Sequence, residues 1–237
     1  MRQKIVDQIN EKLKASYSAI AHEFCITRKT PWEEFHHFLG YVRHGSRVLD
    51  LGCGYGRLYE FLKPKQVDYY GIDHNANQLE IGKKTYPEAR FELADMMGLS
   101  LPEEAFDNVF CIASFHHIPG KKARKKVLDS IHKTLRTDGV LILTVWNLFQ
   151  FKYFIDILKS FLSCILHLGL KAAWNDLWIK WGDYPIKRYY HAFLPKELIR
   201  YFDSRKWKIE EFYFTRKGNR VSFLRSFNLV LIVRKIQ

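Results

Sequence analysis

Val48 to Gly56 reads VLDLGCGYG, an apolar run that ends on an acid and then breaks into glycines at Gly52, Gly54 and Gly56. The apolar half is a short buried strand. The glycines permit a tight turn and let a ligand lie directly against the backbone. An apolar helical pattern, RLYEFL, follows at once. Strand, glycine turn and helix in that order open a nucleotide-binding sheet, whose second strand ends on an acid that accepts hydrogen bonds from ribose hydroxyls. That acid is present, because Asp73 closes VDYYGID 23 residues after Asp50. A third carboxylate, Asp95, follows a third strand and is placed to reach an adenine amino group.

The rest of the chain extends the alternation. ARFELAD (Ala89 to Asp95), FDNVFCIAS (Phe106 to Ser114) and GVLILTVW (Gly139 to Trp146) read as strands three to five, with a helix through Lys84 and another from about Lys121 to Arg136. This spacing predicts an α/β fold with a mostly parallel sheet and helices on both faces. The unbroken apolar runs of strands four and five fit strands buried on both sides. After Trp146 the pattern lapses until about Phe193, then resumes with a helix, PKELIRYFDS, and two strands near Trp207 to Phe214 and Phe227 to Val233. One seven-stranded domain is expected, in four parts: an N-terminal helical segment 1–45, a cofactor-binding core 46–146, a helical insertion 147–193 and the C-terminal part of the core 194–237.

The 237 residues carry a net charge of +13, which points to a polyanionic partner, either nucleic acid or an anionic membrane surface. The plainer reading is a chain kept in solution by its lysines. Four separated cysteines (Cys25, Cys53, Cys111, Cys164) form no CxxC pair, so neither a metal site nor a disulfide framework is signalled. Free thiols and an N-terminus without the apolar core of a signal peptide fit a cytoplasmic location. Phe149 to Trp174 is strongly apolar but interrupted by Lys152, Asp156, Lys159, His167 and Lys171. A membrane span needs about 20 largely apolar residues. The helical spacing of Phe151, Phe154, Ile155, Leu158, Leu162 and Ile165 predicts instead an amphipathic helix that packs on the core, covers a site or lies on a membrane surface.

The D-x-G-x-G-x-G arrangement resembles motif I of the class I S-adenosylmethionine-dependent methyltransferases, a Rossmann-like family. That resemblance runs over roughly Val48 to Trp146 and implies S-adenosylmethionine as cofactor, held by Asp50, Gly52, Gly54, Gly56, Asp73, Asp95, Met96 and Ala113. Three stretches outside the cofactor motifs carry it further. YSAIAHEFCITRKTPW (Tyr17 to Trp32), IASFHHI (Ile112 to Ile118) and RYYHAFLPKEL (Arg188 to Leu198) are similar to segments of the tRNA wobble-uridine carboxymethyl ester methyltransferases, the yeast-type enzymes and the methyltransferase half of the human AlkB-type fusion. The chain departs from that family at Tyr55, where an Asn is usual, at Asp138-Gly139 in place of Gly-Gly, and in the hydrophobic 147–181.

The resemblance implies methyl transfer to a carboxylate on uridine 34 of tRNA. A carboxylate is already ionised, so the protein has to align and desolvate rather than supply a strong base. Arg28, His116, Arg188, Tyr189 and His191 are the expected acceptor-side residues, with Tyr190 beside them and His117 in a packing or capping role. Lys121, Lys122, Arg124 and Lys125, with Arg216, Lys217, Arg220 and Arg225, are expected to meet RNA phosphates. Partners implied are tRNA, a small zinc-binding activator subunit of the yeast type and, as a lesser option, a membrane surface. Two other functions fit the same residues: a small-molecule or lipid O-methyltransferase with a lid or membrane-surface helix, and a non-catalytic RNA-binding scaffold.

Overall fold

The computed structural model describes residues 1–27, 32–167, 172–182 and 184–236. Three helices open the chain: α1 (Gln3–Ala19), α2 (Ala21–Ile26) and α3 (Glu34–Phe38). The alternating core follows as β1 (Arg47–Leu51), α4 (Arg57–Leu62), β2 (Asp68–Asp73), α5 (Ala76–Thr85), β3 (Arg90–Leu93), β4 (Phe106–Ile112), α6 (Lys121–Thr134) and β5 (Leu135–Trp146). The insertion holds α7 (Phe154–Leu166), β6 (Asp176–Lys180) and β7 (Lys187–His191). After it come α8 (Pro195–Ile199), β8 (Trp207–Arg216), β9 (Asn219–Arg220) and β10 (Asn228–Lys235).

The main sheet runs β3-β2-β1-β4-β5-β10-β8-β9. β1 to β5 pair in parallel, and β10 lies antiparallel between β5 and β8. Seven strands match the expectation. The eighth, β9, is a two-residue edge created when the chain reverses at Lys217 and Gly218, both at positive φ.

Period-two alternation distributes each strand between two cores. Leu49, Leu51, Val109, Cys111, Leu141 and Leu143 face α6 and α8, against Val127, Leu128, Ile131 and Leu198. Val48, Phe110, Ile142, Val230 and Ile232 face the other way, against Phe35, Phe38, Leu58, Leu62 and Leu79. Each such side chain contributes about 1.5–3 kcal/mol by leaving water. The sheet therefore holds its strand ends rigidly, and the loops at those ends carry the site.

The insertion is not all helical. β6 and β7 form a separate antiparallel hairpin, registered from Asp176 opposite His191 to Lys180 opposite Lys187. The aromatic-rich texture of DLWIK and KRYYH suits strands, with Gly182 and Pro185 marking the turn between them. α7 is shorter than the sequence pattern and is turned the opposite way from an ordinary surface helix. Ile157 packs inward, and Ser160 Oγ donates to the Asp176 carbonyl at 2.7 Å. Phe154, Ile155, Leu158, Leu162, Ile165 and Leu166 face outward, as does Phe151 at 96% exposure. No helix among the described residues is long and apolar enough to cross a membrane.

α6 corrects one expectation outright. Its buried residues, Arg124, Val127, Leu128, Ile131 and Thr134, share one face, so Lys121, Lys122 and Lys125 are exposed while Arg124 points into the protein at 2% exposure. Arg124 Nε donates to the Ile118 carbonyl at 3.0 Å and Nη1 to Tyr201 Oη at 3.0 Å. Its guanidinium lies 3.9 Å from both Asp176 Oδ1 and Glu197 Oε1. His191 sits between the same two carboxylates, 2.7 Å from each. Tyr189 Oη donates to Asp176 Oδ1 at 2.6 Å. Burial would raise the Asp176 carboxyl, but the hydrogen bonds from His191 and Tyr189 hold it below its ordinary value. This cluster fastens α6, the hairpin and α8 together. Arg124 is thus unavailable to a phosphate. The His191 and Tyr189 side chains spend their polar atoms on Asp176 and Glu197 instead of on an acceptor.

Candidate cofactor and acceptor cleft

The carboxyl ends of β1, β2 and β4 open into one cleft, covered by α1. Asp50, Gly52, Gly54, Asp73, Asp95, Met96 and Ala113 all line it. Of the expected cofactor residues only Gly56 stands apart. An added Cβ there would meet Phe91 at 2.5 Å, so Gly56 serves the packing of α4 against β3.

The floor has the shape that a close-lying ligand requires. A Cβ at Gly52 would come within 2.3 Å of Ser114 Oγ, and one at Gly54 within 2.6 Å of Gln78 Oε1. Both glycines have positive φ, which L side chains rarely adopt. Asp73 accepts from the Gly54 amide through Oδ2 and from the Asn75 amide through Oδ1, both at 2.8 Å. One carboxylate thus braces the glycine turn and the start of α5. Asp95 accepts from the Met97 amide at 2.9 Å and from Asn10 Nδ2 at 2.6 Å, with Lys14 Nζ 3.2 Å away. Burial pushes its carboxyl up, and these three donors more than reverse that.

An S-adenosylmethionine molecule fits these groups: a side-chain-free floor, an acid at the end of β2, and, at the cleft-lining His74, an Nε2 with no partner among the described residues. Asp73→Ala should raise the dissociation constant for the cofactor by about thirtyfold or more, the loss of two or more hydrogen bonds to a charged group. Titration calorimetry reads it, and affinity equal to wild type would remove Asp73 from the site.

Asp50 has a different task. Burial pushes its carboxyl up to about 7, against the Tyr69 hydroxyl that donates to it at 2.7 Å. Its folded value lies above its unfolded one, so Asp50 favours the fold at low pH and that contribution fades as pH rises through about 7. A cation bound in the cleft shifts the balance toward the carboxylate. Binding of the cationic cofactor near pH 7 should therefore release a fraction of a proton, and at pH 9 almost none. Calorimetry in buffers of different ionisation enthalpy measures this, with the uncharged-sulfur product S-adenosylhomocysteine releasing less.

On the acceptor side the histidines exchange their expected roles. His117 lines the cleft and His116 is fully buried behind it. His117 Nδ1 faces the Tyr189 carbonyl at 2.7 Å, a partner that can only accept, so the proton is on Nδ1. Nε2 then accepts from Tyr17 Oη at 2.7 Å. Arg188 Nη1 donates to the same Tyr17 oxygen at 3.1 Å. Burial lowers His117 to about 3, so the ring is neutral. His116 Nδ1 accepts from the Trp146 amide at 3.2 Å, and its Nε2 has no partner among the described residues.

Arg188 is 2% exposed and forms no ion pair among the described residues. Tyr17, Tyr190, Trp146 and Trp181 surround its guanidinium, with ring centroids 5.2–5.9 Å away. Arg28 lies outside the described residues. Arg220 is paired with Glu211 and lies over the Tyr213 ring at 4.0 Å, so its charge is already engaged. Arg216 and Lys217 are exposed. Asn10, Leu13, Tyr17, Trp32, Arg57 and Trp146 line the cleft without having been singled out. For three of them a signal existed: Asn10, Leu13 and Tyr17 share one face of α1 by helical spacing.

The comparisons with known proteins agree with this geometry. Residues 48–139 match the family described as "Methyltransferase domain". That segment is similar to a methyltransferase domain, and the sheet has the fold of solved S-adenosylmethionine-dependent methyltransferases. Among curated proteins the chain is 32% identical over 134 residues to the Xenopus tropicalis tRNA (carboxymethyluridine(34)-5-O)-methyltransferase alkbh8, covering 56% of this chain and 21% of that protein. It is 31% identical over 134 residues to the Saccharomyces cerevisiae tRNA (carboxymethyluridine(34)-5-O)-methyltransferase, covering 56% and 47%. The match thus spans between about a fifth and a half of these relatives' length. A SAM-dependent methyltransferase from Methanosarcina mazei shares the fold, with a TM-score of 0.68 and 20% identity, covering 84% of this chain and 97% of that one.

Proposed function

We propose that this protein transfers a methyl group from S-adenosylmethionine to the carboxylate of a 5-carboxymethyluridine-type wobble nucleoside in tRNA, forming its methyl ester. The observation that carries this reading is Arg188. A guanidinium is charged at every accessible pH, and burying one without a carboxylate is costly. Aromatic faces offset part of that cost. The remainder is offset when an anion arrives at Tyr17, the wall of the cleft to which Arg188 is hydrogen-bonded.

When bound, the cofactor supplies an electrophilic methyl; the carboxylate oxygen forms the new C–O bond, the C–S electron pair returns to sulfur, and no proton moves. The chain's own residues therefore have to hold, orient and dry the acceptor. Arg188 sets positive charge behind the Tyr17 hydroxyl and so favours an anion in the cleft, neutral His117 accepts the Tyr17 proton and fixes that hydroxyl, and Leu13, Trp32 and Trp146 exclude water. Lys121, Lys122 and Lys125, exposed and without an ion pair among the described residues, begin within a turn of the cleft-lining Ile118 and suit an RNA backbone. A small zinc-binding activator subunit and a cytoplasmic location belong to the same reading.

A second reading has one observation in its favour: the outward apolar stripe of α7 suits an O-methyltransferase acting on a lipid at a membrane surface. Incubating the purified protein with isotopically labelled cofactor and an anticodon stem–loop RNA carrying 5-carboxymethyluridine separates the two. Mass spectrometry should find the labelled methyl ester in the digested RNA. Label found only in lipid or hydroxyl acceptors would overturn the tRNA reading.

A further inference from the structure

The cofactor cleft does not end at the reacting side. Trp32, Arg57 and Trp146 line it and also line a second cavity of about 480 Å³. Gln150, Lys152 and Tyr153, at the start of the insertion, form one wall of that cavity. Lys217, in the turn between β8 and β9, and Phe227 form another. From this juxtaposition we infer that the second cavity receives a single RNA nucleotide swung out of its strand, with the base against the aromatic rings and the phosphates at Lys152 and Lys217. The inference rests on the methyl-transfer reading above and names where its acceptor sits.

The lining selects the occupant. Aromatic faces stack any base, and amides read a base edge. Gln150 uses one N–H on the Asn147 carbonyl, at 2.5 Å, and its amide oxygen accepts from no described residue. Of the cavity's two carboxylates, Glu34 is hydrogen-bonded within the protein and Glu33 is exposed. Glu34 Oε1 accepts from Thr215 Oγ1 at 2.8 Å and Asn228 Nδ2 at 3.3 Å. Glu33 is the seat of the β8–β9 turn, since a Cβ on Gly218 would meet Glu33 Cβ at 2.6 Å. That seat holds Lys217 at the mouth, beside Arg216, whose guanidinium stacks on Phe227 at 4.7 Å. Beside the exposed Glu33, the cavity offers the cations Lys152 and Lys217, aromatic faces and the Gln150 amide. An acyl chain would be poorly served, because it would desolvate Lys152 and Gln150 without pairing them. A nucleotide pairs all three kinds of group. Arg57, at the junction, stands where a substituent on the base passes toward the methyl group.

The test is binding of a fluorescently labelled anticodon stem–loop RNA carrying 5-carboxymethyluridine, read by anisotropy, for wild type, Tyr153→Ala and Lys217→Glu. Calorimetry with the cofactor checks that each variant keeps its fold. Each substitution should weaken RNA binding about tenfold, with Tyr153→Ala losing a stacking face and Lys217→Glu reversing a phosphate contact and flattening the salt dependence. Wild-type affinity in both variants would overturn the assignment. Ester formation, followed by mass spectrometry in the same samples, reports on the chemistry separately. RNA that binds through this cavity without being esterified would sink the methyl-transfer reading and leave the cavity assigned. Ester formed at full RNA affinity by both variants would do the reverse.

Discussion

Arg188→Met should leave the protein folded and nearly stop methyl transfer. The turnover number is expected to fall about a hundredfold, because the preorganised positive charge behind the Tyr17 hydroxyl is lost. Cofactor affinity should stay within a few-fold, because Arg188 does not line the cleft itself and acts there through the Tyr17 hydroxyl. The melting temperature should hold or rise. Replacing a buried cation that has no carboxylate partner among the described residues by an apolar chain of similar volume removes a desolvation cost and keeps the packing against Trp146, Trp181 and Tyr190. Thermal melts and steady-state kinetics on one preparation decide it. A clear loss of stability with turnover intact would make Arg188 an ordinary structural residue.

The same substitution at the other buried arginine should do the opposite. Arg124→Met leaves Asp176, 2% exposed at its side chain, and Glu197 without their shared guanidinium, and leaves the Ile118 carbonyl without its donor. Breaking a buried ionic network by removing one partner costs about 3–5 kcal/mol. For a chain of this size that is a fall of about 10 °C in melting temperature. Reversing the exposed Lys121, Lys122 and Lys125 should move the melting point far less while weakening RNA binding. An unchanged melting point in Arg124→Met would show that the cluster does not fasten α6 to the insertion.

Two arginines that look alike in the sequence thus differ in kind. Arg124 stands in the run KKARKK, where a solvated helix face or a phosphate grip is the natural reading. Helical spacing contained the correction, since Arg124 precedes Val127 and Leu128 by three and four residues and so shares their buried face. Arg188 and His191 sit three residues apart in one motif, yet one reaches Tyr17 beside the cleft and the other is clasped by Asp176 and Glu197. Alternation along β7 puts them on opposite faces, Arg188 with Tyr190 and His191 with Tyr189. What each face meets is set by the partners, which arrive from α1 on one side and from β6 and α8 on the other.

The alternation of strand and helix, the glycine turn, Asp73 and Asp95 were legible from residues 48–95 alone, because each depends on local pattern: a turn that only glycine enters easily, and an acid at a strand end. The hairpin β6–β7 was hidden inside a stretch whose apolar texture suits a helix equally well, and short apolar runs do not reveal their period. Which histidine faces the cleft, which arginine has no counter-ion among the described residues and where the second cavity opens follow from contacts between residues up to 171 positions apart. Local sequence sets backbone preferences over a few residues, whereas the charge environment of a buried group is set by whatever the fold brings against it. For that reason the glycine-floored cleft was written in the sequence, and the setting of Tyr17, His117 and Arg188 emerged from the packing of α1 and the insertion over the sheet.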